Sequence, residues 1–112
     1  MDTQGRWIGL AEVTPLEGSH VLDAGTGAFV AVVGDSATTD MFYNLAAREF
    51  RELRLKLIKL EDVELLSTRR RKHVLSQAFE TAIAELCPAN PLVFDSFHVF
   101  PINQRRKAGK KR

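Results

Sequence analysis

The part of the chain that most constrains its fold is a run of apolar residues from Ala28 to Val33, Ala-Phe-Val-Ala-Val-Val. A strand with one solvated face alternates apolar and polar residues, whereas an unbroken apolar run is typical of a strand covered on both faces. We therefore expect this segment to lie inside a sheet, and Gly34 to open the turn into a helix. A chain of 112 residues has room for one such domain with its own core, and not for two.

Three further segments are predicted to be strands. The first runs from Arg6 to Val13 and ends before a proline that removes a backbone donor. The second begins at residue 55, and its alternation slips by one residue over 55–60, which indicates either a bulge or a strand fully covered on both sides. The last covers residues 92–100, where continuous alternation would put Phe94 and Phe100 on the same face.

Two helices are predicted from apolar residues at helical spacing. The first covers about residues 38–53, with several N-cap candidates among residues 35–40. The second carries one continuous apolar stripe and stops before Pro88 and Pro91. Its stripe consists of Val74, Leu75, Ala78, Phe79, Ala82, Ile83 and Leu86.

The element order is therefore β-β-α-β-α-β. Two helices on one face of a mostly antiparallel four-stranded sheet would bury both apolar stripes, which predicts an α+β fold that varies the ferredoxin-like arrangement. We expect a single domain over residues 1–103 and a disordered basic tail over residues 104–112, because the tail has no residue that could pack.

The net charge of +2 is unevenly distributed along the chain. Residues 105–112 hold six of the 16 Lys and Arg residues and no acid. Ten bases then remain against 14 acids, so the rest of the chain carries about −4. The calculated pI of about 8.9 thus reflects the tail, while the body is mildly acidic.

Composition also limits the compartment and the chemistry. No apolar run approaches the roughly 18–20 residues that span a bilayer, and residues 1–6 lack the charged-then-apolar order of a secretory signal. We therefore expect a cytoplasmic protein without a membrane partner. Cys87 has no second cysteine to pair with, and we expect it to be a buried apolar residue near a helix end.

The segment Val21 to Gly27, Val-Leu-Asp-Ala-Gly-Thr-Gly, resembles the first motif of S-adenosylmethionine-dependent methyltransferases. The resemblance implies a cofactor loop at Asp23–Gly27, but the third glycine of that family would fall at Phe29. A helix should also follow the loop, whereas Ala28 to Val33 reads as a strand. We interpret the segment as a turn and keep a small enzyme as a minor alternative.

Three acids near the end of the third strand form a candidate acidic surface site: Glu61, Asp62 and Glu64. Clustered carboxylates can bind a divalent cation or perform acid–base chemistry, and Glu12 could join them from a neighbouring strand. No two histidines have metal-ligand spacing. A solvated loop is the favoured interpretation, so no catalytic residue, cofactor or metal is predicted.

Two basic segments are candidate sites for an anionic partner. They comprise Arg69, Arg70, Arg71 and Lys72, followed near the C-terminus by Arg105, Arg106, Lys107, Lys110, Lys111 and Arg112. The first segment lies at the predicted start of the second helix, where the helix dipole disfavours cations, although the nearby acids would compensate. The second could bind polyphosphates without sequence specificity, or could simply be a solubilising extension.

The aromatic residues are expected to lie mainly in the core. Phe residues occur on both predicted faces of the last strand, however, so one of them could be exposed. The chain lacks the Lys/Arg-Gly-Phe-x-Phe-like run of ribonucleoprotein sheet modules, and no aromatic is interleaved with the tail cations. Specific recognition of single strands by the tail is therefore not expected.

Residues 7–16, 27–30 and 57–64 together resemble landmarks of small uncharacterised bacterial α+β proteins. That resemblance implies the fold class and no activity. Our leading hypothesis is a small non-enzymatic binding or interaction protein, regulatory or neutralising, whose partner is another protein. The alternative is a nucleic-acid-associated protein that uses the basic tail, and a homodimer through a sheet edge stays open.

Overall fold

The computed structural model describes residues 5–102, which form one antiparallel sheet with helices on both faces. In chain order the elements are β1 (Gly5–Pro15), β2 (Thr26–Ser36), α1 (Thr39–Glu52), β3 (Leu55–Leu65), α2 (Leu66–Lys72), α3 (Gln77–Ala84), β4 (Leu92–Phe94) and β5 (His98–Pro101). The α+β class predicted from the sequence is confirmed. Residues 1–4 and 103–112, which include the predicted basic tail, lie outside the described residues.

The sheet has the strand order β3-β1-β2-β4, and β5 also pairs with β2. The first two strands form a long hairpin in which Gly5 lies opposite Ser36 and Val13 opposite Ala28. The far edge of β2 is shared by two short strands, β4 along its second half and β5 along its first. The described sheet is thus four strands wide, but it contains five strands because the outermost position is divided.

One face of the sheet, here called the first face, is covered by α1. Phe42, Ala46 and Phe50 of this helix are fully buried against alternate residues of the strands. The strand residues of that cluster are Ala11, Val13, Ala28, Val30, Val32, Leu55, Leu57 and Leu92. The helix forms where it was expected, because Thr38 caps it by accepting a hydrogen bond from the backbone of Met41.

The opposite, second face is covered by α2 and α3. Leu66, Phe79 and Ile83 pack there against Ile8, Val33 and Val93, each of which neighbours a residue that points to the first face. The prediction of two helices on one face was therefore wrong. The apolar run of β2 required cover on both sides: α1 packs against Ala28, Val30 and Val32 on the first face, and the two short helices pack against Ala31 and Val33 on the second.

The second predicted helix was also wrong in extent. The segment 66–72 forms the separate helix α2, and α3 begins only at Gln77, after Ser76 caps it through the backbone N–H of Phe79. Val74, counted in the predicted stripe, is fully exposed in the connection between the two helices. Helical spacing alone could not reveal the break, because Leu75, Ala82 and Leu86 do pack against the same cluster.

Two strands differ from prediction in length or continuity. The bulge in β3 is confirmed by register shifts against β1, but the strand continues to Leu65, and the acidic loop expected there was wrong. The predicted last strand is interrupted between Phe94 and His98. These corrections, with the helices on both faces, distinguish the observed topology from the predicted ferredoxin-like variant.

Within residues 5–102, no helix combines the length and apolar character needed to cross a membrane.

Candidate functional site

The basic segment Arg69–Lys72 forms the last turn of α2. The prediction placed these cations at the start of a helix, and that position was wrong. At a helix C-terminus the unpaired carbonyl groups favour positive charge, so the local arrangement stabilises the helix. The backbone N–H of His73 closes this turn by donating to the carbonyl of Arg69.

Three of these four cations are bound to acids of the same molecule. The Nζ of Lys72 donates to Oε1 of Glu64 over 2.8 Å, and the Nε of Arg69 donates to the other oxygen of that carboxylate. The two cations, Lys72 foremost, hold the pKa of Glu64 below its ordinary value by hydrogen bonding to the charged form. Arg70 is paired through both its Nε and its Nη2 with Glu80 of α3.

The acids Glu61, Asp62 and Glu64 do not converge on one site. Glu61 pairs with Lys59 at 3.1 Å, whereas Glu64 belongs to the pairs with α2. Asp62 sits at an irregularity of β3 with a φ of 56°, and its carbonyl accepts a hydrogen bond from Arg69. A depression of about 390 Å³ is lined by Asp62, Val63, Glu64, Arg69, Lys72 and His73. Its central charges are already paired with each other.

The Asp23–Gly27 loop is a turn that leads directly into β2. The backbone N–H and the Oγ1 of Thr26 both donate to the carbonyl of Asp23, and Gly25 adopts a φ of 82°. The helix that should follow a methyltransferase motif is replaced by a strand, as the apolar run predicted. Gly27 has a packing role instead, because a β-carbon there would lie 2.8 Å from Cζ of Phe100.

Half of the second face is not covered by the helices. The cluster formed by α2 and α3 reaches Ile8, Ala31, Val33 and Val93, and among the described residues it does not extend to the other end of the strands. We call that remaining half the open face. It is defined by Leu10, Glu12, Phe29, Lys59, Glu61 and Phe100.

Two phenylalanines dominate the open face. The rings of Phe29 in β2 and Phe100 in β5 lie 5.1 Å apart between centroids, tilted by 35°, and both side chains are partly exposed. The ring of Phe100 lies over Gly27, its partner in the strand pairing. A bulky residue at position 27 would therefore push this ring away from its present position.

The sequence placed Phe100 on the wrong face because of the interruption in the last strand. Val32 of β2 lies opposite Phe94, and Phe29 lies opposite His98, so three steps along β2 correspond to four along the edge. The additional residue reverses the alternation beyond Phe94. Phe94 consequently packs against Phe50 on the first face, with ring centroids 5.1 Å apart, whereas Phe100 points to the second.

Polar residues surround the phenylalanine pair. One row across the sheet consists of Lys59, Glu12, Phe29 and His98, in which each residue lies opposite the next on a neighbouring strand. Glu12 is only 8% exposed, whereas Lys59 and Glu61 have about half of their side-chain surface accessible. The open face thus combines two aromatic rings with exposed charged groups, and it is not a continuous apolar patch.

In the sequence, the C-terminal cations begin four residues after the end of the strand that carries Phe100. The described chain leaves the sheet at Ile102, whose N–H donates to the carbonyl of Gly25. Arg105, Arg106, Lys107, Lys110, Lys111 and Arg112 lie outside the described residues, and their candidate role stays a prediction. Arg105 is five residues beyond Phe100 in the sequence.

The remaining polar groups of the described residues were compared with the requirements of a metal site. Among residues 5–102, no three His, Cys, Asp or Glu side chains come together as a metal site would require. Cys87 is exposed beside a groove of about 290 Å³ between α1 and the loop after α3, so the prediction that it is buried was wrong.

Comparisons with protein-family models, curated proteins and solved structures found no match for this chain.

Proposed function

We propose that this protein is a small non-enzymatic binding module that uses its open face, together with the adjoining C-terminal cations, to hold an anionic partner. The observation that carries the proposal is the Phe29–Phe100 pair on a half-sheet that the described helices leave uncovered. Partly exposed aromatic side chains that are packed on a sheet provide contact area with little loss of conformational freedom on binding.

The other candidate surfaces support binding less well. A partner of the Arg69–Lys72 turn would have to displace Glu64 and Glu80 from three of its four cations. Breaking such pairs exposes the carboxylates to an incoming anion of the same charge, which opposes binding. The segment 105–112 contains six cations and no acid.

Two classes of anionic partner agree with this proposal: an acidic segment of another protein and a nucleic acid. Both are attracted to six clustered cations, and the attraction weakens as salt screens the charges. The body of the chain is mildly acidic, so electrostatic attraction depends on the C-terminal segment.

The test locates the binding surface by NMR titration of the ¹⁵N-labelled full chain. One probe is an oligothymidylate of roughly 12 nucleotides, a length within the range that single-strand-binding folds occupy. The other is an oligoglutamate peptide of similar charge. With at least one probe, we expect amide shifts to concentrate in residues 10–12, in Phe29 and in residues 98–100.

The matched control is Arg71→Gln, which removes an exposed cation of α2 and should leave the affinity unchanged. Shifts confined to residues 66–73, or an affinity that falls with Arg71→Gln, would contradict the proposed surface. A lack of shifts with both probes would contradict binding of anionic partners altogether.

A further inference from the structure

Independently of the proposed function, we infer that the protein forms a two-fold symmetric dimer through the outer edge of β3. The occupant of that edge is the same strand of a second copy, which runs antiparallel to it with Leu60 opposite Leu60 at the two-fold axis. The two sheets then join into one continuous sheet. The binding surface is self-complementary, as an isologous interface requires.

The two edges of the sheet differ in their capacity to pair. β3 has 11 residues and pairs with β1 along one side, and within residues 5–102 no strand pairs with its other side. The opposite edge is divided between β4 and β5, which have only three and four residues. Unpaired backbone groups along an edge favour pairing with another chain, and short edge strands are one way to prevent it. The edge with room for a second strand is therefore that of β3.

Large apolar side chains stay exposed along this edge. Ile58 and Leu65 are 43% and 41% exposed. The apolar cluster that includes α2 and α3 draws its strand residues from β1, β2 and β4, so these helices pack over the other strands. Pairing with a second strand would remove part of this apolar surface from water, which favours association.

The charged residues of β3 are arranged symmetrically about Leu60. Lys59 and Glu61 are its two neighbours, while Lys56 precedes it and Glu64 follows it by four residues. With Leu60 opposite Leu60, Lys59 lies opposite Glu61 of the second copy. Lys56 likewise lies opposite Glu64, and the two-fold axis repeats both pairs. Opposite charges that face each other across strands stabilise the pairing, whereas like charges destabilise it.

The same charges disfavour the neighbouring registers. Sliding one strand by two residues in one direction places Lys59 opposite Lys59 of the second copy. Sliding it by two residues in the other direction places Glu61 opposite Glu61. Each shift therefore replaces attraction by repulsion at the axis. The charge pattern thus selects the register in which Leu60 lies on the axis.

The two bulges of β3 occupy symmetric positions as well. The register against β1 shifts at Ile58, which lies between the paired residues Leu57 and Lys59, and again near Asp62, which has a φ of 56°. Both bulge residues are two positions from Leu60, so the bulges face each other in the dimer. A bulge without such a match would reverse the alternation and place charged side chains opposite apolar ones.

The match extends to the two faces of the sheet. Apart from Asp62 at the bulge, the charged residues of β3 point to the second face: Lys56, Lys59, Glu61 and Glu64. Its apolar residues in the first-face cluster are Leu55, Leu57, Leu60 and Val63. Residues directly opposite each other in antiparallel strands point to the same face. The proposed register therefore pairs charged residues with charged residues and apolar residues with apolar ones.

Lysines and bulges on an edge strand can also serve to prevent pairing. Protection by charge needs only one sign, whereas β3 carries both signs in mirrored order. Lys59 and Glu61 pair within the strand at 3.1 Å, and each has about half of its side-chain surface exposed. In the dimer two such pairs meet at the axis with opposite charges adjacent, so neither ion pair has to be broken. The arrangement therefore favours pairing over protection.

Sedimentation equilibrium of the full chain tests the inference. The wild type should approach twice the chain mass of 12.6 kDa as its concentration rises and return toward the monomer on dilution. Lys59→Glu and Glu61→Lys each place like charges opposite each other at two symmetric positions. We expect each to weaken the dimer about tenfold or more. Arg48→Glu is the matched control, because it reverses an exposed, ion-paired cation of α1 that lies beside Asp35 of β2.

Mixing the two variants tests the register directly. The Lys59→Glu chain has an acid on both sides of Leu60, and the Glu61→Lys chain has a base on both sides. Each chain alone should be mainly monomeric, whereas an equimolar mixture should sediment as a dimer because opposite charges face each other at both positions. The double variant Lys59→Glu/Glu61→Lys should dimerise as the wild type does. A change in the fold of either single variant could not produce this recovery.

A measurement on the unaltered protein covers the case in which a variant does not fold, as judged by circular dichroism. Amide hydrogen exchange within residues 55–65 should slow as the wild-type concentration rises, whereas exchange within residues 98–101 at the opposite edge should not change. A wild type that stays monomeric at every concentration would overturn the inference. A dimer that the single variants and Arg48→Glu affect equally would also overturn it, as would a mixture that stays monomeric.

Discussion

The two faces of the sheet are built from the same strands but are covered in different ways. The first face meets α1, a helix of 14 residues that presents two fully buried phenylalanines to the strands. The second face meets α2 and α3, of seven and eight residues, which cover only one end of it. Successive residues of each strand point to opposite faces. A shift of one residue in the register of a strand would therefore exchange the side chains of both faces at once.

This difference separates stability from binding. On the first face the apolar side chains are buried in the core. Truncating them should therefore destabilise the fold. On the second face the core is confined to Ile8, Val33, Val93 and the residues from the two short helices. The Phe29–Phe100 pair lies beyond that core, and both side chains are partly exposed.

The largest expected effect contrasts Phe50→Ala on the first face with Phe29→Ala on the second. Phe50 is fully buried, so its truncation should lower the free energy of unfolding by about 3–5 kcal/mol. Phe29 is partly exposed, so its truncation should cost about 1–2 kcal/mol. Urea unfolding followed by circular dichroism measures both, with an unchanged m-value as the check that the transition is comparable. Equal losses would show that Phe29 belongs to the core and would remove the contrast between the faces.

The elements that depend on local signals could be predicted from the sequence. Residues 35–40 offered several caps and the apolar spacing marked one helical face, so α1 was expected within one residue of its observed ends. The run Ala28 to Val33 correctly indicated a strand buried on both faces, with the partly exposed Phe29 as the exception. Of the two interpretations of the slip after residue 55, the bulge was correct. In each case the signal is contained in a few consecutive residues.

The parts that depend on pairing between distant segments could not be predicted. The additional residue between Phe94 and His98 reverses the alternation of the edge, and only the register against β2 reveals it. That single residue decides that Phe100 joins Phe29. The break before Gln77 was hidden for a related reason, because residues on both sides of Ser76 pack against one cluster and mimic a continuous stripe. The position of Phe100 in the candidate site is therefore determined by pairing between distant segments, which a single sequence does not reveal.

A smaller effect is expected from the helix caps, Thr38→Ala for α1 and Ser76→Ala for α3. Each substitution removes a hydroxyl that accepts a backbone hydrogen bond, so each should cost about 1 kcal/mol. The two faces should differ in how the loss is distributed. The well-buried α1 should lose protection only with global unfolding, whereas the short α3 should open locally. Hydrogen exchange of backbone amides distinguishes these cases, and Ser76→Thr, which keeps the acceptor, is the control. Uniform loss of protection in both variants would argue against independent opening of the second face.

The smallest expected effect concerns the ion pairs that join α2 to β3 on the second face. Lys72 and Arg69 lower the pKa of Glu64 in the folded protein, whereas the unfolded chain should have an ordinary value of about 4.3. The unfolded state then binds more protons in acid, so this stabilisation is present above the unfolded pKa and is lost as the pH falls through the folded one. Urea midpoints measured between about pH 6 and about pH 3 should therefore fall less in Glu64→Gln than in the wild type. Glu17→Gln, at an exposed turn position, is the control and should retain the wild-type acid dependence. An acid dependence equal in all three proteins would show that α2 is held by Leu66 and its apolar contacts alone.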